Sequence, residues 1–183
     1  MNDTLKEILK TSIYFLCVLI FALLIVTFVG QRTIVDGSSM ESTLSDKDNL
    51  IVDKISYRFS DPKRFDVVVF PPKGGNGSLY IKRIIGLPGE TVYIDEDGNI
   101  YINDVILEEN YGKEQIRSTS RGRAAEKVTL GDDEYFVMGD NRNDSLDSRY
   151  QSVGNVKKKD FTGRAWVRIY PFNKIKFVKN IGK

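Results

Sequence analysis

At 183 residues, 41% hydrophobic and 28% charged, the chain has the composition of a globular protein with room for one domain and an appendage. It contains no histidine, which excludes Ser-His-Asp and Cys-His catalysis and every histidine-ligated metal site. Its single cysteine, Cys17, excludes an internal disulfide and a thiolate zinc cluster. The net charge of +2 hides an asymmetry, because residues 31–150 sum to −6 and the last 33 residues to +8.

In chain order, the first feature is a stretch without charge from Thr11 to Gln31. Its core, Ile13 to Val29, is almost wholly Leu, Ile, Val and Phe. At about 1.5 Å per residue such a helix crosses most of a hydrocarbon layer roughly 30 Å thick, and it reads as a transmembrane anchor over 11–30. A cleaved leader would have a shorter apolar region ending in an Ala-x-Ala-like site, and here the run ends Thr27-Phe28-Val29-Gly30-Gln31. Lys6 and Lys10 before the span are matched by Arg32 and Lys47 after it, so charge alone does not set the orientation.

Beyond the anchor, short runs rich in Val, Ile, Tyr and Phe alternate with Gly, Pro, Asn and Asp, which predicts a mainly β body with antiparallel strands. The predicted strands are Leu50 to Tyr57, Asp66 to Phe70, Leu79 to Gly86, Thr91 to Asp95, Asn99 to Asn103, Glu134 to Met138 and Gly163 to Tyr170. Asp97-Gly98 marks a hairpin turn. Glu108 to Glu126, rich in charge and poor in apolar residues, is predicted as a mobile surface excursion that fills no core.

Three segments concentrate Gly, Ser and charge: Asp36 to Leu44, Tyr80 to Glu90, and Gly139 to Arg149. Taken singly, a Ser/Gly cluster is more often a turn than a nucleophile, a lysine in a strand is usually solvated, and an Asp/Asn/Arg stretch is usually a hydrogen-bonded loop. Lys82 departs from that pattern. It interrupts Leu79-Tyr80-Ile81 and Ile84-Ile85, where a buried amine is costly unless it is used neutral, and a histidine-free hydrolase needs such a base.

In these boxes the sequence closely resembles the bacterial type I signal peptidases, membrane-bound Ser-Lys endopeptidases that remove signal peptides from exported proteins. The order of parts is theirs: an N-terminal anchor, Ser39-Met40-x-x-Thr43-Leu44, Phe65 to Phe70, Lys82-Arg83 with Gly86-Leu87-Pro88-Gly89, and Gly139-Asp140-Asn141-Arg142 to Asp147-Ser148-Arg149. The resemblance implies Ser39 as nucleophile and Lys82 as general base. It further implies that Ser145 hydrogen-bonds the lysine, that Asp147 and Arg149 form a structural ion pair, and that Asp140 partners Arg83. Val35, Met40, Leu44, Tyr80 and Ile81 match the family's shallow substrate pockets for small side chains, with plain core packing the alternative for each.

The resemblance also implies a domain plan: residues 1–10 a cytoplasmic tail, 31–183 an extracytoplasmic peptidase domain, and about 91–133 a small inserted cap. Its partners would be the signal peptides of secretory preproteins, cleaved after Ala-x-Ala sites, and the lipid bilayer, with proximity to the translocase and no nucleic acid. No metal or other cofactor is needed. The basic residues Lys157-Lys158-Lys159 and those nearer the C-terminus are either lipid-facing or merely solvated. Eight residues separate Gly30 from Ser39, so at about 3.3 Å each the nucleophile lies within roughly 30 Å of the end of the span.

Chemistry agrees with the dyad. Lowering an amine from its ordinary value near 10.4 to about 8 costs roughly 3 kcal/mol, within what burial supplies. On a strand Lys82 and Arg83 point to opposite faces, so one is desolvated while the other finds a separate partner. Two positions depart from the family: Ser42 stands where proline is usual, and Gly37 where many relatives have a serine that donates to the oxyanion. The remaining oxyanion donor is then the Ser39 amide with a second, unidentified one. Two rival readings are a soluble Ser-Lys self-cleaving repressor and a catalytically dead membrane-anchored β module.

Overall fold

The computed structural model describes residues 3–28, 30–75 and 77–178, with only the backbone for 25–28. Val29, at the end of the apolar run, and residues 179–183 of the basic tail lie outside the described residues.

Helix α1 (Asp3–Phe28) is long and apolar enough to cross a membrane, and its side chains through Leu24 are exposed. β1 (Gly30–Ile34), which the sequence pattern does not predict, pairs antiparallel with β2 (Asn49–Asp53). The strand predicted to reach Tyr57 stops at Asp53. There the Asp53 carboxylate accepts the backbone N–H groups of Ile55 and Ser56 and the Ser56 hydroxyl, turning the chain into the single-turn helix α2 (Ser56–Phe59).

β3 (Val67–Phe70) and β4 (Tyr80–Gly86) form the centre of the main sheet, and every residue of β3 is buried. Alternation divides them between two cores. Val67, Val69 and Ile81 pack with Met40, Leu44, Leu50 and Val52, whereas Val68, Phe70 and Ile84 pack with Tyr135 and Val137. A strand covered on both faces reads as the unbroken apolar run Val67-Val68-Val69-Phe70.

A second sheet comprises β5 (Thr91–Ile94), β6 (Ile100–Ile102), β7 (Val105–Ile106) and β8 (Val128–Thr129), in the order β7-β6-β5-β8. The β5–β6 hairpin turns at Asp97-Gly98, where Gly98 has φ +84°, a conformation glycine adopts without a Cβ penalty. β9 (Glu134–Met138), β10 (Val156–Lys157), β11 (Gly163–Tyr170) and β12 (Lys176–Phe177) complete the main sheet, ordered β1-β2-β11-β3-β4-β9-β10 with β12 beside β11. All the pairings among the described residues are antiparallel.

The excursion 108–126 is corrected by the structure. Few of its residues are apolar, but Ile116 and Ala124 are buried in the core of the second sheet with Val92, Ile94 and Ile100. Polar contacts fasten the rest: Arg142 pairs with Glu109 at 2.6 Å, and Arg149 Nη1 donates to the Ser120 carbonyl at 2.8 Å.

Candidate active site

Ser39 lies in the 35–48 loop between β1 and β2. The loop is closed by Val35 N–H on the Asp48 carbonyl at 2.8 Å and Lys47 N–H on the Val35 carbonyl at 2.9 Å. Met40 and Leu44, 1% and 2% exposed, plug it into the apolar core, so the residue before Met40 is held at the core's edge. Gly37 has φ +92° and donates its N–H to Asp46. A side chain there would be strained, which accounts locally for glycine at that position.

From β4, Lys82 brings its Nζ to 2.7 Å from Ser39 Oγ and 3.1 Å from the Ile81 carbonyl oxygen. The lysine is 4% exposed. Burial pushes its pKa down from 10.5 to about 8; the charges of Asp147 and Asp140 oppose that shift and Arg149 assists it. At about 8, roughly a tenth of the amine is neutral at pH 7. A hydroxyl against a partly deprotonated amine is what a histidine-free nucleophilic hydrolase requires.

The neighbouring Arg83 is fully buried and forks onto Asp140, with Nε to Oδ1 at 2.8 Å and Nη2 to Oδ2 at 2.7 Å. Its Nη1 donates to the Phe65 carbonyl, and its guanidinium lies 3.7 Å from the Tyr111 ring centroid. Thr43 joins this pair, donating to Asp140 at 2.5 Å and accepting from Arg83 at 3.0 Å. Asp147 and Arg149 form a second fork at 2.8 and 2.7 Å, both fully buried, and Asp147 also accepts the Gly139 N–H. Asp140 thus takes its partner from β4, whereas Asp147 finds its own within the turn that follows β9.

The hydrogen bond from Ser145 to Lys82 that the resemblance implies is not formed. Ser145 Oγ is buried without a partner and lies against Gly139, where the Ser39 carbonyl also packs. A Cβ on Gly139 would collide with Ser145 and with that carbonyl, so the close approach of these two loops requires glycine.

Beside the Ser39–Lys82 contact is a cleft of about 190 Å³ lined by Val35, Met40, Tyr80, Ile81, Leu79 and Leu146. Leu44, expected on it, is not there; its side chain is spent in the core with Leu50 and Val52. Leu79 and the half-exposed Leu146 carry no signal in the sequence, because only the fold brings their segments to one cleft. Tyr111, in the excursion, is hidden for the same reason.

The family model for signal peptidase, peptidase S26, matches residues 6–170. The chain belongs to that family. It is a serine peptidase of the signal peptidase I kind, and α1 is the one candidate span among the described residues. It is 41% identical over 179 residues to a probable signal peptidase I-2 of Synechocystis sp., covering 95% of this chain and 77% of that one. With a signal peptidase I of Leptolyngbya laminosa it shares 44% over 164 residues, 85% and 76% of the two chains. With one of Bacillus amyloliquefaciens it shares 38% over 165 residues, 87% and 86%. A crystal structure of a signal peptidase I from Enterococcus faecalis is 37% identical and covers 57% of this chain and 97% of its own, with a TM-score of 0.46.

Proposed function

We propose that the chain cleaves signal peptides from exported preproteins through an acyl-enzyme formed on Ser39, with Lys82 as general base. The observation that carries this is the 2.7 Å contact between Ser39 Oγ and an amine whose pKa burial lowers to about 8. Neutral Lys82 takes the hydroxyl proton as Ser39 attacks the scissile carbonyl, gives it to the leaving amine, and then activates the water that hydrolyses the ester. The Ser39 N–H stabilises the oxyanion.

The small cleft beside the dyad admits small side chains on the substrate, which favours Ala-x-Ala sites. Residues 1–10 lie in the cytoplasm, 11–30 span the membrane, and 31–183 lie outside with 91–133 as a cap, close to where a translocated chain emerges. Incubating the purified protein with a preprotein and measuring product masses tests the reaction: cleavage after the Ala-x-Ala site by wild type and none by Ser39→Ala is the expected result. Equal cleavage by Ser39→Ala sinks it. For topology, a membrane-impermeant maleimide should label Phe59→Cys, at an 85% exposed position, in intact cells carrying the protein with Cys17→Ser.

A further inference from the structure

Ser38 and Ser39 sit in a loop whose own hydrogen bonds near the catalytic hydroxyl are few: Glu41 N–H reaches back to the Ser38 carbonyl at 3.0 Å. The turn after β9 supplies others. The Ser38 hydroxyl donates to Asp144, which ties down that side chain but not the peptide planes around Ser39. Asn141 holds the planes themselves, donating its backbone N–H to the Ser39 carbonyl at 3.0 Å and its side-chain Nδ2 to the Ser38 carbonyl at 3.2 Å. It is 5% exposed.

The Ser38 carbonyl belongs to the peptide plane before the Ser39 Cα, and the Ser39 carbonyl to the plane after it. Because peptide units are planar, fixing one atom's direction in each plane fixes the two soft dihedrals between them. Holding both planes therefore aims the Ser39 Cα–Cβ bond. The plane before Ser39 also contains the Ser39 N–H, opposite the carbonyl that Asn141 holds.

We infer that Asn141 is a positioning residue, whose side chain aims the Ser39 hydroxyl at Lys82 and the Ser39 N–H at the developing oxyanion. The inference rests on the Ser39–Lys82 reading. It predicts a loss in kcat with little change in KM, since the misplaced groups act on the reacting atoms; a misplacement of about 1 Å can cost roughly 100-fold.

The test is steady-state cleavage of a signal-peptide substrate by Asn141→Ala, by the isosteric Asn141→Asp, which keeps the backbone donor and loses Nδ2, and by Asn143→Ala. Asn143 lies on the same loop and donates to the Gln115 carbonyl, away from the serine loop. Both Asn141 variants should lose about 10- to 100-fold in kcat per folded molecule, with KM within about twofold and the pH midpoint unmoved, while Asn143→Ala keeps its kcat. Wild-type kcat in either folded Asn141 variant, or an equal loss in Asn143→Ala, overturns the inference. Ser39→Ala is run alongside. If it is active the dyad itself fails; if it is inactive beside a fully active Asn141→Ala, only the positioning role fails.

Discussion

Lys82 Nζ stands 2.7 Å from Ser39 Oγ across 43 residues of sequence, and the contact joins a strand inside the main sheet to a loop that caps it. In the proposed reaction each group serves only with the other. Ser39→Ala and Lys82→Ala should each reduce preprotein cleavage by about as much as the double variant, with far-ultraviolet circular dichroism unchanged. Lys82→Ala retaining more than about a tenth of the wild-type rate would remove the general base from the reaction.

The lowered pKa makes a rate prediction. With Lys82 active when neutral, kcat/KM should rise with pH through about 8 and level off above it. A profile flat from about pH 6 to 9 would be inconsistent with this base.

The same shift bears on stability. The folded protein binds the Lys82 proton less tightly than the unfolded chain, so the destabilisation is full below about 8 and disappears as pH rises to the ordinary value of 10.5. A shift of that size corresponds to about 3 kcal/mol. Lys82→Met should therefore be more stable than wild type at pH 7, by up to that amount, with the gain shrinking across this window. Denaturant melts at about pH 7 and 10 read it, and a gain that does not shrink would contradict the burial account.

Ser145 Oγ is buried without a hydrogen bond, a state that costs about 1–3 kcal/mol. Ser145→Ala should raise the melting temperature while lowering kcat, because the hydroxyl and the backbone of the proposed nucleophile Ser39 both lie against Gly139. Thermal melts and kinetics on the same preparation check both directions; a fall in stability would show that the hydroxyl is partnered.

Gly139→Ala should be severe. Its Cβ would meet Ser145 and the Ser39 carbonyl, and backbone cannot yield as a flexible side-chain end can. A stability loss of about 1–3 kcal/mol and a loss of most activity are expected, against near-neutral behaviour for alanine at an open surface glycine. Wild-type activity in Gly139→Ala would mean that the two loops do not approach so closely.

Much of this protein is legible locally. An apolar run without charge needs no partner to be recognised, and the alternating or continuous apolar runs of β3, β4, β5, β6 and β9 follow from a two-residue period and burial on one or both faces. Lys82 is marked by residue type, since a charge among apolar neighbours stands out in one dimension, whereas Ser39, Arg83, Asp140, Asp147 and Arg149 are picked out by the order of the boxes that the sequence shares with the family. The short strands β7, β8, β10 and β12, two residues each, are not, because so few residues show no period and form only where a neighbour offers its edge. Likewise Tyr111 over Arg83, Asn141 on the serine loop, the inward turn of Leu44 and the unpartnered Ser145 depend on which distant segments the fold sets side by side. Hydrogen bonds and packing act over a few ångströms in space, without regard to separation along the chain, and only the tertiary structure decides which residues come within that range.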